Sequence, residues 1–358
     1  MEISRRKAMG LIGAAGTALC APNIAFGASK VRLTIASSHP TTVPWVGTMQ
    51  SHVVPETNKR LEAMGSDVRV QWTESYGGAL FKFDKTLEAV EQGLTDIGWV
   101  GTLWEESKMP LQNVTYYAPF VSDDMPAMLK VINEMHEEMP ALNEAWTKQR
   151  QTYLGASGIE TYHVISKEPI NSIADMKGKK FAAAGTVGAW LRNTGATAVN
   201  QGLPGFYNLI KTGVVDGAVI SNSGTFPFKL FEVAPYLNRV SLGCQCTGAM
   251  TVNARVWQRM PEELKTVLSD LGQEYSQLHG EALMGLADSF EAKMKEQGAT
   301  INQLDESARV EWANTIPDLA DEWVAFNKGR GLPADQVMDL YLSKMKSNGA
   351  KPLRDWSV

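Results

Sequence analysis

Beyond its first 28 residues, this 358-residue chain has no apolar stretch long enough to cross a bilayer, which takes about 20 consecutive residues. A basic excess is lacking too. Thirty-four Lys and Arg stand against 39 Asp and Glu, a formal net charge of −5, which argues against nucleic acid or an acidic membrane surface as partner. Cysteine is scarce: Cys20 falls in the leader described below, leaving Cys244 and Cys246 two apart on an expected strand. Bridging them would strain the backbone, so two free, half-buried thiols are expected. Zinc would need two further ligands nearby, and none is there. The five histidines (39, 52, 136, 163 and 279) show no metal-ligand spacing, so neither metal nor cofactor is expected. Also missing are a Gly-x-Ser-x-Gly elbow and a His-Glu-x-x-His helix. That counts against an exported hydrolase or lyase, although folding can assemble a site from scattered residues.

What is present begins with a leader. Arg5, Arg6 and Lys7 precede an apolar, Gly/Ala-rich core from Ala8 to Ala21, and Ala25-Phe26-Gly27 offers small residues for cleavage after Gly27 or Ala28. Ser4-Arg5-Arg6-Lys7 resembles a twin-arginine export signal, and an ordinary secretory leader explains it equally well. Leu19 is too large for a lipobox before Cys20. The leader carries Glu2 against three basic residues, so the exported chain is more acidic than the whole. A periplasmic location follows.

About 330 remaining residues suggest two domains. Val31 to Ser37 reads as a strand, and a helix begins after Pro40 and Pro44 and closes near Gly65. Val68 to Trp72 is a second strand, Phe83 to Gln92 is helical, and Asp96 to Val100 is a short buried strand. The pattern restarts with Tyr162 to Ser166, Lys180 to Ala184, a short helix over Gly188 to Thr194, a helix over Phe206 to Lys211, and a strand over Asp216 to Ile220. Two α/β units without a nucleotide fingerprint fit two lobes flanking a cleft. Met260-Pro261-Glu262-Glu263 then opens a helix that keeps its apolar spacing through Leu264, Val267, Leu268, Leu271 and Tyr275 and runs on to Lys295. At roughly 50 Å it would lie across both lobes.

Several segments resemble the substrate-binding subunits of TRAP transporters. Lys167-Glu-Pro-Ile170 through Asp175-Met-Lys-Gly178-Lys-Lys is similar to that family's "kpI-s-aDmkGlK", and Thr212-Gly213-Val214-Val215-Asp216-Gly217 to its "tGvvDG" turn. Glu88 to Gly98, Tyr117-Ala-Pro119-Phe120 and Trp257 to Leu264 resemble three further family segments, in the same order. The resemblance implies an α/β periplasmic binding protein fold of two lobes, discontinuous in sequence. Residues 29–159 with 246–285 would form one lobe, and 160–245 with 286–358, including C-terminal helices, the other. It implies a small-molecule ligand, delivery to small and large membrane subunits, and no direct membrane insertion.

Family members that bind simple carboxylates carry two arginines and an asparagine at positions matching Tyr162, Ala182 and Ile220 here. A guanidinium fork suits a carboxylate through two charge-assisted bonds. That clamp is missing, Asn222 lies two residues on, and the segment from Ala182 to Gly195 is two residues shorter than usual. Aromatic residues at or near the expected cleft fill the gap: Tyr76, Trp99, Tyr117, Tyr162, Trp190 and Phe226. They point to a flat or largely apolar organic acid, benzoate-like, gripped by ring surfaces. Partners for its carboxylate are His39, His163, Arg192 or the backbone of Gly185 to Gly188. Tryptophans such as Trp99 and Trp190 are, taken alone, more often core than ligand contacts. The alternative ligand is a quaternary ammonium or other compatible solute in an aromatic cage, with Glu74 and Glu160 as countercharge.

Overall fold

The computed structural model describes residues 29–356; the expected leader and Cys20 lie outside the described residues. Eleven strands follow one another: β1 (Ser29–Ala36), β2 (Val68–Ser75), β3 (Ile97–Gly101), β4 (Gln151–Ile159), β5 (Tyr162–Ser166), β6 (Lys180–Ala183), β7 (Thr197–Asn200), β8 (Gly217–Ser221), β9 (Tyr236–Arg239), β10 (Gln245–Asn253) and β11 (Thr300–Gln303). The alternation of Leu33 and Ile35 with polar neighbours turns one face of β1 into core. β1 lies parallel to β2, from Ser29 opposite Val68 to Ala36 opposite Ser75, and parallel to β3 on its other side. The first sheet has the order β2-β1-β3-β10-β4 and the second β11-β9-β5-β8-β6-β7.

Two crossings decide which strand ends face each other. The chain leaves the first sheet through Glu160 and Thr161, and returns through residues 240–244. β10 runs antiparallel to β3 and β4, so β1, β3 and β4 all end at the edge where the crossings lie. In the second sheet β8 and β9 run antiparallel to β5, so their ends, Ser221 and Arg239, lie beside Tyr162 at the start of β5. Ala183 closes β6 at the same edge. The cleft is bounded by these two edges, the usual place for a ligand in open α/β sheets.

The third connection is the helix Glu262–Glu296, about 50 Å long. Pro261 sets its start and Glu262 and Glu263 occupy its positive end, as the sequence predicts. Leu264, Val267, Leu268, Leu271 and Tyr275 fill the core beneath the first sheet, and Met294 that of the second lobe. Glycine seats the helix on β4: a Cβ on Gly155 would stand 2.0 Å from the Gly272 carbonyl oxygen, and one on Gly272 would stand 2.2 Å from that of Leu154. The expected early helix is split into Pro44–Thr48, a π turn over Met49–Val53 and Val54–Ala63. Pro55 has no N–H to give to the carbonyl four residues back, so the ladder loosens there.

The C-terminal helices reach both sides. Glu306–Thr315 packs on the turn Ile173–Met176, whereas Leu319–Lys328 and Ala334–Ser347 pack on Pro110–Tyr117 and Met125–Glu138. Lys344 bonds Glu134 and Glu138 at 3.1 and 2.7 Å. Cys244 and Cys246 are free, and are buried outright rather than half-buried. Burial pushes the Cys246 thiol up to about 12, so it behaves as a small inert hydrophobe.

Candidate functional site

The edge of the first sheet is built from rings. Ser37 ends the buried run of β1, and its hydroxyl accepts the His39 N–H at 3.1 Å. The His39 carbonyl takes the N–H of Gly77, whose φ of +72° suits glycine, and this ties the loop to the Tyr76 turn. On β3, Trp99 is 2 % exposed and donates through Nε1 to the Ser157 hydroxyl of β4 at 2.8 Å. His39 stands edge-on to Trp99, Phe83 and Trp45, with ring centroids 4.9, 5.0 and 5.6 Å away. Trp104 meets Phe83 at 4.1 Å and Trp99 at 6.5 Å. Phe83 and Trp104 remain exposed, by 38 and 49 %. Burial pushes His39 down to about 4, so near neutral pH its imidazole is uncharged. Tyr76 is half-buried, and burial and the nearby Glu74 carboxylate push its pKa up.

The edge of the second sheet is polar. Asn222, 6 % exposed, opens the short helix Asn222–Thr225, and its amide nitrogen lies 3.4 Å from the Ala287 carbonyl and 3.5 Å from Glu291, both on the long helix. Its Oδ1 is buried without a partner among the described residues. Glu160, in the first crossing, is 3 % exposed and accepts the Ser223 N–H and hydroxyl at 2.7 and 2.9 Å. Burial pushes its carboxyl up. Arg239, at the end of β9, is held side-on by Glu291. His163 is buried, accepts the Ser241 N–H, and is pushed down to about 3 by burial and by the charges of Arg239 and Arg309. Ala182 and Ile220, at two of the clamp positions, lie in an apolar core.

The remaining residues singled out from sequence are each held in contacts with other protein groups. Tyr162 is buried, edge-on to Trp190 at 5.3 Å. Trp190 is fully enclosed, stacks on Tyr116 at 5.9 Å and donates to the Tyr116 carbonyl at 2.8 Å; its ring is core. The short helix that carries it is a 3-10 segment, Gly185–Leu191, and the Gly185 N–H is taken by Asn200. Tyr117 donates to Glu106 and stacks on Trp323 at 5.7 Å. Arg192 points outward into a two-bond pair with Glu322 at 2.6 and 2.9 Å. Phe226 stacks on Phe290 and Phe231 at 4.8 and 5.7 Å. The structure therefore brings Trp99 and His39 together at one edge and places Asn222 on the other. Trp45, Phe83, Trp104, Glu160 and Arg239 complete those edges. Of these only Glu160 is singled out in sequence, because Trp45, Phe83 and Trp104 lie on helical pieces of three to five residues, too short for a stripe to show.

Two surface pockets include none of the ring cluster, Glu160, Asn222 or Arg239. One of about 330 Å³ is lined by Ser122, Asp123, Ser241 and Arg309, and one of about 510 Å³ by Lys346, Arg354 and Trp356. The first adjoins the return crossing at Ser241, and the second contains the buried Trp356. No cluster of metal-binding side chains occurs among the described residues.

Residues 48–325 match the family described as bacterial extracellular solute-binding protein, family 7 (DctP). This chain belongs to that family. The family-7 receptor is similar in fold to a TRAP periplasmic solute-binding protein from Desulfovibrio salexigens, at 20 % identity over 90 % of this chain and 97 % of that one, with a TM-score of 0.76. It is similar also to a marine metagenome TRAP solute-binding protein specific for aromatic acid ligands, solved with metahydroxyphenylacetate. The identity there is 20 % over 89 % of this chain and 99 % of that one, with a TM-score of 0.74. A curated solute-binding protein of Sulfitobacter sp. (strain NAS-14.1) is 25 % identical over 175 residues, 45 % of this chain; the match spans about half, 52 %, of that relative. Both the two-lobed fold and the extracytoplasmic location agree with the family-7 receptors. No helix among the described residues is long and apolar enough to cross a membrane.

Proposed function

We propose that this receptor captures a small, flat organic acid between its two edges and delivers it to the small and large membrane subunits of a TRAP transporter. The observation that carries the ligand class is the cluster of His39, Trp45, Phe83, Trp99 and Trp104, with two of its rings exposed at the cleft edge. A ring stacked there gains area and aromatic contact together. The clamp positions hold no cation, so orientation falls to hydrogen bonds. The metagenome relative specific for aromatic acids supports the same class.

Glu160 favours a second reading. A buried carboxylate on the second edge, across the cleft from the rings of the first, suits a quaternary ammonium held by cation–π attraction and countercharge. A thermal-shift titration separates the two, because a bound ligand raises apparent stability by mass action. Benzoate and its hydroxy derivatives should raise the melting temperature and be recovered unaltered. Stabilisation by glycine betaine alone would favour the second reading, and turnover of any compound would point to an enzyme.

A further inference from the structure

The second edge holds two unspent hydrogen-bonding groups joined by one carboxylate. Glu291 Oε2 takes Arg239 Nε at 2.8 Å and lies 3.5 Å from the Asn222 amide nitrogen, while Glu291 Oε1 takes Arg239 Nη2. That arrangement occupies one side of the guanidinium fork and leaves Nη1 without a partner among the described residues. The Arg239 side chain is 41 % exposed and stands at the cleft end of β9, whereas Glu291 is 15 % exposed. A guanidinium held on one side in this way is fixed in direction and still offers its other side to a second acceptor. Asn222 adds an independent sign: its Oδ1 is buried and unpaired, a costly state that a ligand donor would relieve.

We propose that Arg239 and Asn222, linked through Glu291, form the polar end of the ligand site, so that the preferred ligand is an aromatic acid that also carries a hydroxyl. Arg239 Nη1 takes a carboxylate oxygen, and Asn222 Oδ1 accepts the hydroxyl hydrogen. Glu291 touches no ligand; it is a positioning residue that aims both groups. The assignment rests on the organic-acid reading above. It explains how a carboxylate is held when Tyr162, Ala182 and Ile220 supply no charge: the guanidinium comes from the next strand outward.

The test is calorimetric titration of the full exported chain with benzoate, 3-hydroxybenzoate and the neutral analogue benzamide. The wild type should bind 3-hydroxybenzoate most tightly, with affinity for both acids falling as salt rises. Arg239→Gln should weaken both acids by about 10- to 100-fold, keep benzamide within about twofold and lose the salt dependence; Arg239→Lys should recover part of the loss. Asn222→Ala should abolish the preference for the hydroxyl and change benzoate by no more than about twofold. Apo melting temperatures report whether each variant folds. Loss of benzamide in step with the acids, or acid affinity untouched in Arg239→Gln and the hydroxyl preference untouched in Asn222→Ala, would overturn the assignment alone. A wild type blind to every carboxylate yet stabilised by glycine betaine would overturn the organic-acid reading as well.

Discussion

The two edges that face each other across the cleft are built from opposite materials. The first offers rings around an uncharged imidazole. The second offers hydrogen-bonding groups, with Glu160 on Ser223 and Arg239 on Glu291. Ring surface is tolerant of which flat molecule it covers, whereas a fixed donor or acceptor rejects a ligand that leaves it unpaired. Under the proposed function, affinity belongs to the first edge and discrimination to the second, and closure of the lobes would apply both together.

The sharpest way to break that comparison is to remove two tryptophans that look alike in sequence. Trp190→Ala should cost about 3–5 kcal/mol of stability, read by denaturant unfolding, because a fully enclosed indole and its bond to Tyr116 are lost. Trp99→Ala should cost a similar amount of stability and also weaken ligand binding by about tenfold or more. Equal loss of intrinsic affinity in both would dissolve the distinction between core ring and edge ring. Next comes acidity. His136, His163 and His279 are buried, and burial pushes them down to about 4, 3 and 4. The unfolded chain therefore binds more protons between the ordinary histidine range and pH 4. Stability present near neutrality should fall as pH drops through about 6.5 towards 4, by about 3 kcal/mol per histidine at the lower end, in unfolding curves at stepped pH. A flat profile over that window would contradict their neutral burial.

Smaller effects sharpen the comparison. Trp104→Ala, at an exposed ring, should leave stability within about 0.5 kcal/mol and weaken an aromatic acid by about threefold to tenfold in calorimetry. The smallest belongs to Arg192→Ala. Its pair with Glu322 is half exposed, and unfolding should shift by less than about 1 kcal/mol.

The long helix was legible in sequence to within a residue or two because Pro261, two acids and a sustained apolar spacing all agree. The strand order was legible only in part: β9 and β11 are four residues each, too short for alternation to register. Of the candidate site, Trp99 is singled out in sequence by its place in the family resemblance, and His39 by its position just beyond the first strand. Trp190 could not be placed, since a 3-10 segment gives no stripe that separates the side facing the cleft from the side facing the core. Arg239 escaped because its role depends on Glu291, 52 residues away on a different element. Contacts of that range belong to tertiary packing, which a periodic reading does not contain.

One structure would test the central claim most directly: a crystal of the protein with 3-hydroxybenzoate bound. The account predicts the ligand ring within about 7 Å of the Phe83 or Trp104 ring centroid and its carboxylate bonded to Arg239. A carboxylate held by a different guanidinium, or a ligand ring seated away from the first edge, would contradict it.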